Sequence, residues 1–437
     1  MKKNLFVLAV IALSSGLQSC SSSEEDNDDL GEAKKVVNML EPQPIQLTEA
    51  QRVFMNDNNQ FTLNFLSTVN DADKSGKSFI YSPLSITYVL GMVNDAATGQ
   101  TEQELEQTLG FHEGGIQAVN DYCKKLIDGL PKVDESVTLN IANALFVNKN
   151  KAKLKAQYQQ DMEQYYDAKA ENLDFNSPTA LNTINEWTSD HTNGMIPKIL
   201  DIIDPDVVTY LLNAIYFKAD WASKFDQKNT KVETFTTEKG TTKLPMMHQN
   251  VLISYLKNNT YSAVIIPYGS GLWNMTVMLP EEGKTTDDVI KEVTQSSVLN
   301  NRGWCETGSD VFQGYEVDLK LPRFETASDT DDLGGNGLID LLNQMGITLA
   351  FDSYFAEIPN MCEDGGVYIS MMRQKAKIKV NEEGSEAAAV TIAGANFATA
   401  LPIEYPKAEF HANRPFVYVI REASSGVIVF VGKFTGE

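Results

Sequence analysis

The chain has 437 residues, 42% hydrophobic and 22% charged, with a formal net charge of −23. That is an ordinary globular composition with apolar residues enough for a real core. The negative charge argues against nucleic acid as a partner, because phosphate contacts need clustered Lys and Arg. Length alone allows two or three domains or one large one.

The first segment reads as an export signal. Lys2 and Lys3 precede nine apolar residues, Leu5 to Leu13, and Leu17-Gln18-Ser19-Cys20 follows. A basic start, a short apolar stretch and small residues before a cut describe a secretory signal peptide, here residues 1–19. Nine apolar residues are too few for a membrane span, which needs ~20. Leu-x-Ser-Cys resembles a lipobox, so Cys20 is expected to carry lipid and become the mature N-terminus; an ordinary cleaved signal with an incidental Cys is the alternative. Residues 21–29, Ser-Ser-Ser-Glu-Glu-Asp-Asn-Asp-Asp, cannot bury a core, and residues 20–44 are expected to form a disordered acidic tether. The run resembles the acidic tags of surface-displayed lipoproteins in some Gram-negative bacteria. The expected location is the outer membrane, facing outward.

From residue 45 to the end no linker or internal repeat divides the chain, so 45–437 is expected to be one domain. Phe54, Phe61, Phe65 and Val69 recur at helical spacing, predicting a helix over 49–70. Ser82-Pro83 opens a second, from Leu84 to about Asp95. Residues 137–147 and 208–217 read as buried strands. Apolar runs at 261–267 and 274–279 flank Tyr-Gly-Ser-Gly-Leu-Trp and predict a hairpin; 416–420 and 427–431 predict another. Helices in the first half and strands in the second define an α+β class.

Catalytic and metal signatures are missing. The four His, at 112, 191, 248 and 411, show no i, i+4 ligand spacing, and there is no Gly-x-Ser-x-Gly elbow. Asp329-Thr-Asp331-Asp332-Leu-Gly334 only faintly resembles a calcium loop, because Leu333 stands where an oxygen ligand belongs and the closing Glu is absent; a solvated surface loop is the expectation. Neither a metal nor a cofactor is expected, and an enzyme is not. Besides Cys20, the cysteines are Cys123, Cys305 and Cys362, so at most one disulfide forms. Whether Cys305 pairs with Cys362 is open.

The segment with an unusual pattern is 380–401. It has no Pro from Gly384 to Leu401, so every residue there can donate to a sheet ladder. In a strand Ser385, Ala387, Ala389, Thr391, Ala393 and Ala395 share one face, and none is costly to bury; Glu386 falls on the other. The run is written to become a buried strand, yet lacks the large apolar residues of one.

Here the chain resembles the inhibitory serpins. Glu382-Glu383-Gly384-Ser385-Glu386-Ala387-Ala388-Ala389 is similar to their hinge, Phe410-His-Ala-Asn-Arg-Pro-Phe416 to their C-terminal signature, and Val431-Gly-Lys-Phe to their last strand. Tyr81-Ser82-Pro83-Leu84-Ser85-Ile86, Asn213, Phe217-Lys218, Trp221, Ile184-Asn185-x-Trp187, Thr192-x-Gly194-x-Ile196, Leu321-Pro322-Arg323-Phe324 and Met345-Gly346-Ile347 fit family motifs in order. The resemblance spans about 45–436. It implies a serpin fold: helices packed on a large mixed sheet with two smaller sheets, and a reactive-centre loop at about 384–405. Ser82, Ser85, Asn213, Trp221 and Gln374 would belong to the shutter and breach regions, which control opening of the large sheet. Gln374 stands where the family usually has His, and an amide does not titrate near neutral pH, so no pH sensitivity of the shutter is expected.

The resemblance further implies an irreversible suicide inhibitor of serine proteases. The protease cuts the loop, forms an acyl-enzyme, and is trapped as the loop inserts into the large sheet. About 16 residues at ~3.3 Å each give a strand of roughly 50 Å. Family spacing from Glu382 places the cut after Ala398, at Ala398-Thr399; Phe397-Ala398 and Thr399-Ala400 are alternatives. Alanine before the bond suits an elastase-like pocket; subtilisin-like enzymes and papain-like cysteine proteases come next. A non-inhibitory serpin acting as a surface binding or carrier lipoprotein is the alternative, as is a glycan-binding lipoprotein. A monomer is expected.

Overall fold

The computed structural model describes residues 41–112, 114–295, 309, 311–385 and 404–437. The signal segment, Cys20 and most of the tether therefore lie outside the described residues. So do Cys305, Glu386, Ala387, Ala388, Ala389 and the candidate reactive bonds at Phe397, Ala398, Thr399 and Ala400.

The helices are α1 Glu49–Ala72, α2 Pro83–Ala96, α3 Gly99–Leu109, α4 Gly115–Gly129, α5 Ala156–Tyr166, α6 Ala180–His191, α7 Thr286–Val293 and α8 Leu338–Met345. The strands of the first half are β1 Phe79–Tyr81, β2 Val137–Asn148, β3 Lys169–Leu173, β4 Thr209–Asp220, β5 Lys231–Thr237 and β6 Gly240–Lys257. Then come β7 Tyr261–Tyr268, β8 Trp273–Pro280, β9 Gln313–Pro322, β10 Phe324–Asp329, β11 Met371–Val380, β12 Gly384–Ser385, β13 Lys407–His411, β14 Phe416–Glu422 and β15 Ile428–Phe434. Among the described residues no helix is long and apolar enough to cross a membrane.

Local chemistry explains the best-defined elements. Thr48 and Gln51 close a reciprocal capping box at the start of α1. At α2, Ser82 accepts from the Ser85 amide and Pro83 occupies the first turn. Almost every residue of α2 is buried, as expected of a helix apolar all round. That helix carries Ser82 and Ser85 into the core.

Among the described residues the strands form two sheets. One runs β10-β11-β12-β4-β2-β3, with β11 also pairing β4 directly. The other runs β1-β15-β14-β8-β7-β6-β9-β13, with β5 on β6. The eighteen-residue β6 pairs with β5, β7 and β9 and so joins these strands into one continuous sheet. Both faces of β4 are covered. Tyr210, Leu212 and Ala214 pack with Ile184 and Trp187 of α6, while Leu211, Ile215 and Phe217 join the main core. Apolar residues therefore run without alternation along β4, as in any strand buried on both sides.

Candidate functional site: hinge and shutter

Strands β4 and β11 are parallel neighbours over seven register positions, Tyr210–Tyr216 against Met371–Lys377. Beyond them the strands part, and β12 occupies the gap. Ser385 stands opposite Ala219 of β4 and Val380 of β11, and Gly384 opposite Asp220. Both pairings are antiparallel. At the start of the segment expected as the loop, Gly384 and Ser385 are strand residues inside the sheet, because the local turn folds them straight back onto β11.

That turn is held by Asn381, whose side-chain oxygen accepts from the amides of Glu383 at 2.9 Å and Gly384 at 3.2 Å. Gly384 has φ +153°, and a Cβ there would collide with the Ala219 carbonyl oxygen. Only glycine fits that close approach. Ser385 is fully buried, with its hydroxyl 2.8 Å from the Tyr268 hydroxyl. Tyr268 stacks on Trp221 with ring centroids 4.3 Å apart and planes 8° from parallel. Trp221 fastens the turn twice, through its indole N–H to the Asn381 carbonyl at 2.9 Å and its amide to the Glu383 carbonyl at 2.8 Å.

Two carboxylates secure the base of the hinge. Glu382 is 3% exposed and accepts from Arg323 at 2.5 and 3.1 Å and from the Thr230 hydroxyl at 2.7 Å. Burial raises its carboxyl, but the hydrogen bonds from Arg323 and Thr230 outweigh burial and hold it below the usual glutamate range. Glu383 pairs with Lys224 at 2.8 Å, and Lys224 also pairs with Asp220 at 2.9 Å. Burial lowers the Lys224 ammonium; its bonds to Glu383 and Asp220 raise it further than that.

The shutter lies in the still-closed part of the sheet. Gln374 and Asn213 are register partners across β11 and β4, and both are buried. The Gln374 amide nitrogen donates to Asn213 at 3.0 Å and to the Ser82 carbonyl at 2.9 Å, while its oxygen accepts from the Ser82 amide at 3.0 Å. Ser85 donates to Asn213 at 2.6 Å, Asn213 to Asn143 of β2 at 2.9 Å, and Ser82 to the Val429 carbonyl at 2.7 Å. One network thus ties β2, β4, β11, β15 and α2. It must loosen for β4 and β11 to separate.

Of the site residues anticipated from sequence, Glu382, Glu383, Gly384, Ser385 and Trp221 meet at the hinge, and Ser82, Ser85, Asn213 and Gln374 meet at the shutter. Sequence reasoning missed the partners Tyr268, Thr230 and Lys224, which no local pattern marks; Arg323 sat unread inside the Leu-Pro-Arg-Phe motif. The calcium-like run has another task. Asp329 binds Arg373 bidentately at 2.8 and 2.5 Å, and Asp331 binds it at 2.9 Å. Asp329 is therefore a structural partner of β11 and not a purely solvated side chain.

The fold, with a six-stranded sheet parted at one end to admit a hinge, defines the serpin class. The family model "Serpin (serine protease inhibitor)" matches residues 56–436. The chain is 31% identical over 387 residues to leukocyte elastase inhibitor A of Rattus norvegicus, covering 86% of this chain and 97% of that one. It is 30% identical to serpin B11 of Homo sapiens, at 86% and 97% coverage. Among solved structures it is similar to the thermophilic serpin tengpin in the native state, with TM-score 0.75, 25% identity and 91% and 97% coverage. It is also similar to thyroxine-binding globulin complexed with thyroxine, with TM-score 0.73, 28% identity and 87% and 98% coverage. The chain belongs to the serpin family, the serine protease inhibitors, and is not an enzyme.

Proposed function

We propose that this serpin is an irreversible suicide inhibitor of elastase-like serine proteases, cut after Ala398. The observation that carries the reading is the parted sheet: Gly384 and Ser385 already stand between β4 and β11, and a Pro-free run of small residues follows them. After cleavage the loop can extend β12 downward, one register pair at a time. Ala387, Ala389, Thr391, Ala393 and Ala395 would take the same face as Ser385. The acylated protease would be dragged along, as the strand's length of roughly 50 Å requires. Similarity to a leukocyte elastase inhibitor supports an elastase-like target, as does alanine before the bond. Trypsin-like enzymes fit poorly, since no Lys or Arg lies between Gly384 and Pro406. Subtilisin-like and papain-like proteases are secondary targets.

The test is a gel. Pancreatic elastase mixed with the protein should give an SDS-resistant complex whose released peptide begins at Thr399. Capture of trypsin and no elastase complex would overturn the target class; turnover of the loop by every protease tried, with no complex, would leave a carrier serpin. We further infer that Cys20 is lipidated and holds the protein, as a monomer, on the outer face of the outer membrane. Cys20→Ala should release it from membranes, and unchanged fractionation of that variant would sink the anchor.

A further inference from the structure

Three strands of the larger sheet meet at one carboxylate. Asp318 of β9 receives His248 of β6 through Nε2 at 2.5 Å and His411 of β13 through Nε2 at 3.0 Å, one imidazole on each oxygen. All three side chains are about one-third exposed. Strand β13 is five residues long, and among the described residues its one sheet neighbour is β9. It is also the first strand after the reactive loop. A short edge strand with one neighbour is weakly held; Phe410 anchors it in the core, and the His411–Asp318 contact adds a polar attachment on its outer face.

The charge around that contact is unbalanced. On the same face β9 contributes Glu316 and Lys320, β13 contributes Lys407 and Glu409, and Glu233 of β5 reaches Lys320 at 2.9 Å. Lys407 lies 3.4 Å from Glu316. From β6, Asn250 stands opposite Asp318, and β7, which packs near β13, carries no charged side chain. The face therefore holds Glu233, Glu316, Asp318 and Glu409 against Lys231, Lys320 and Lys407, a net negative charge that favours protonated imidazoles. Burial raises the Asp318 carboxyl, yet the bonds from His248 and His411 outweigh it and keep it ionised.

The geometry points to an acid-tightened clasp in which His248, Asp318 and His411 hold β13 onto β9 more firmly at pH 6 than at pH 8. A protonated imidazole turns a neutral hydrogen bond to Asp318 into a charge-assisted one, which is roughly twice as strong. The consequence, which rests on the inhibitory reading above, concerns the uncut loop. Residues 386–403 connect Ser385 to Glu404, so full insertion of an intact loop must pull β13 from β9. A tighter clasp would prolong the inhibitor's active lifetime in mildly acidic surroundings.

Hydrogen–deuterium exchange on the intact protein tests the clasp without any protease. With EDTA present and intrinsic rates corrected, peptides covering 406–412 should be about three- to tenfold more protected at pH 6 than at pH 8. The His248→Gln/His411→Gln double variant should lose that difference, and so should the near-isosteric Asp318→Asn. Equal protection of the parent at both pH values, or a response that persists in either variant, overturns the clasp. The lifetime of inhibitory activity at the two pH values is the second arm. A clasp seen by exchange but absent from the lifetime would count against the inhibitory reading and leave the clasp standing.

Discussion

The hydroxyls of Tyr268 and Ser385 lie 2.8 Å apart inside the sheet, on residues 117 positions apart in sequence. Tyr268 is braced by Trp221, and Trp221 is hydrogen-bonded to the turn that delivers Ser385. In the proposed mechanism insertion would start at Ser385, whose polar group is already satisfied in this structure. A buried hydroxyl without such a partner would cost about 1–3 kcal/mol.

Ser385→Arg should turn the inhibitor into a substrate. The side chain at 385 has no exposure, and an unpaired charge there costs several kcal/mol. The hinge would be expelled and insertion would stall while deacylation proceeds. Stoichiometry of inhibition should rise several-fold, and a stoichiometry equal to the parent's would show that 385 is not the entry point. Tyr268→Phe is the milder partner variant, leaving the Ser385 hydroxyl unpaired at about 1–3 kcal/mol.

Much of this site was readable from sequence because its chemistry is local. The Pro-free run after Gly384, the Ser82-Pro83 helix start and the mainly apolar stretch of β4 around Asn213 each declare themselves within a dozen residues. What could not be read is long-range. Arg323 and Glu382 are 59 residues apart, Ser82 and Gln374 292 apart, and His411 meets Asp318 across strands with no shared pattern. Nor could the pattern fix how far the hinge had already entered. That depends on the contacts of Tyr268 and Ala219, and so on the tertiary fold.

Arg323→Ala should weaken the fold by about 1–3 kcal/mol, because Glu382 keeps Thr230 but loses its cation. The pH dependence has a defined sign. Glu382 is held below the ordinary glutamate range, so its contribution is present above the unfolded value of about 4.3 and is lost as pH falls through the lower folded value. Denaturation of the parent and of Arg323→Ala should therefore converge as pH drops below about 4. A gap between them that stays constant from pH 7 to pH 3 would exclude the Glu382 pair as its cause.

Gln374→His tests the shutter. Imidazole can donate and accept as the amide does, so the variant should fold at neutral pH. Burial depresses a histidine's protonation, and a depressed group's contribution is lost as pH falls past the unfolded value of about 6.5. The variant should melt progressively earlier than the parent below pH 6, by scanning calorimetry at pH 8, 7, 6 and 5. Parallel melting curves for the two proteins would show that the shutter tolerates a charge.

Cleavage of the loop should stabilise the molecule. A fully inserted strand would separate β4 from β11, breaking their parallel ladder of seven register positions and the Gln374–Asn213 contact. In return it would form two ladders, antiparallel to both strands, as the first residues of β12 already are. The net gain is about one ladder. At roughly 1 kcal/mol per hydrogen bond that is on the order of 5–10 kcal/mol, before the burial of the inserted alanines adds its share. The shift per kcal/mol is about 2–4 °C for domains of 150–250 residues and falls to roughly 1 °C for one as large as this, so the nicked protein should melt on the order of 5–10 °C above the native one. Calorimetry before and after limited proteolysis, with mass spectrometry to confirm a single cut within 397–400, decides it. Equal melting temperatures would mean that the cut loop stays outside the sheet and that the parted end at Ser385 is as far as insertion goes.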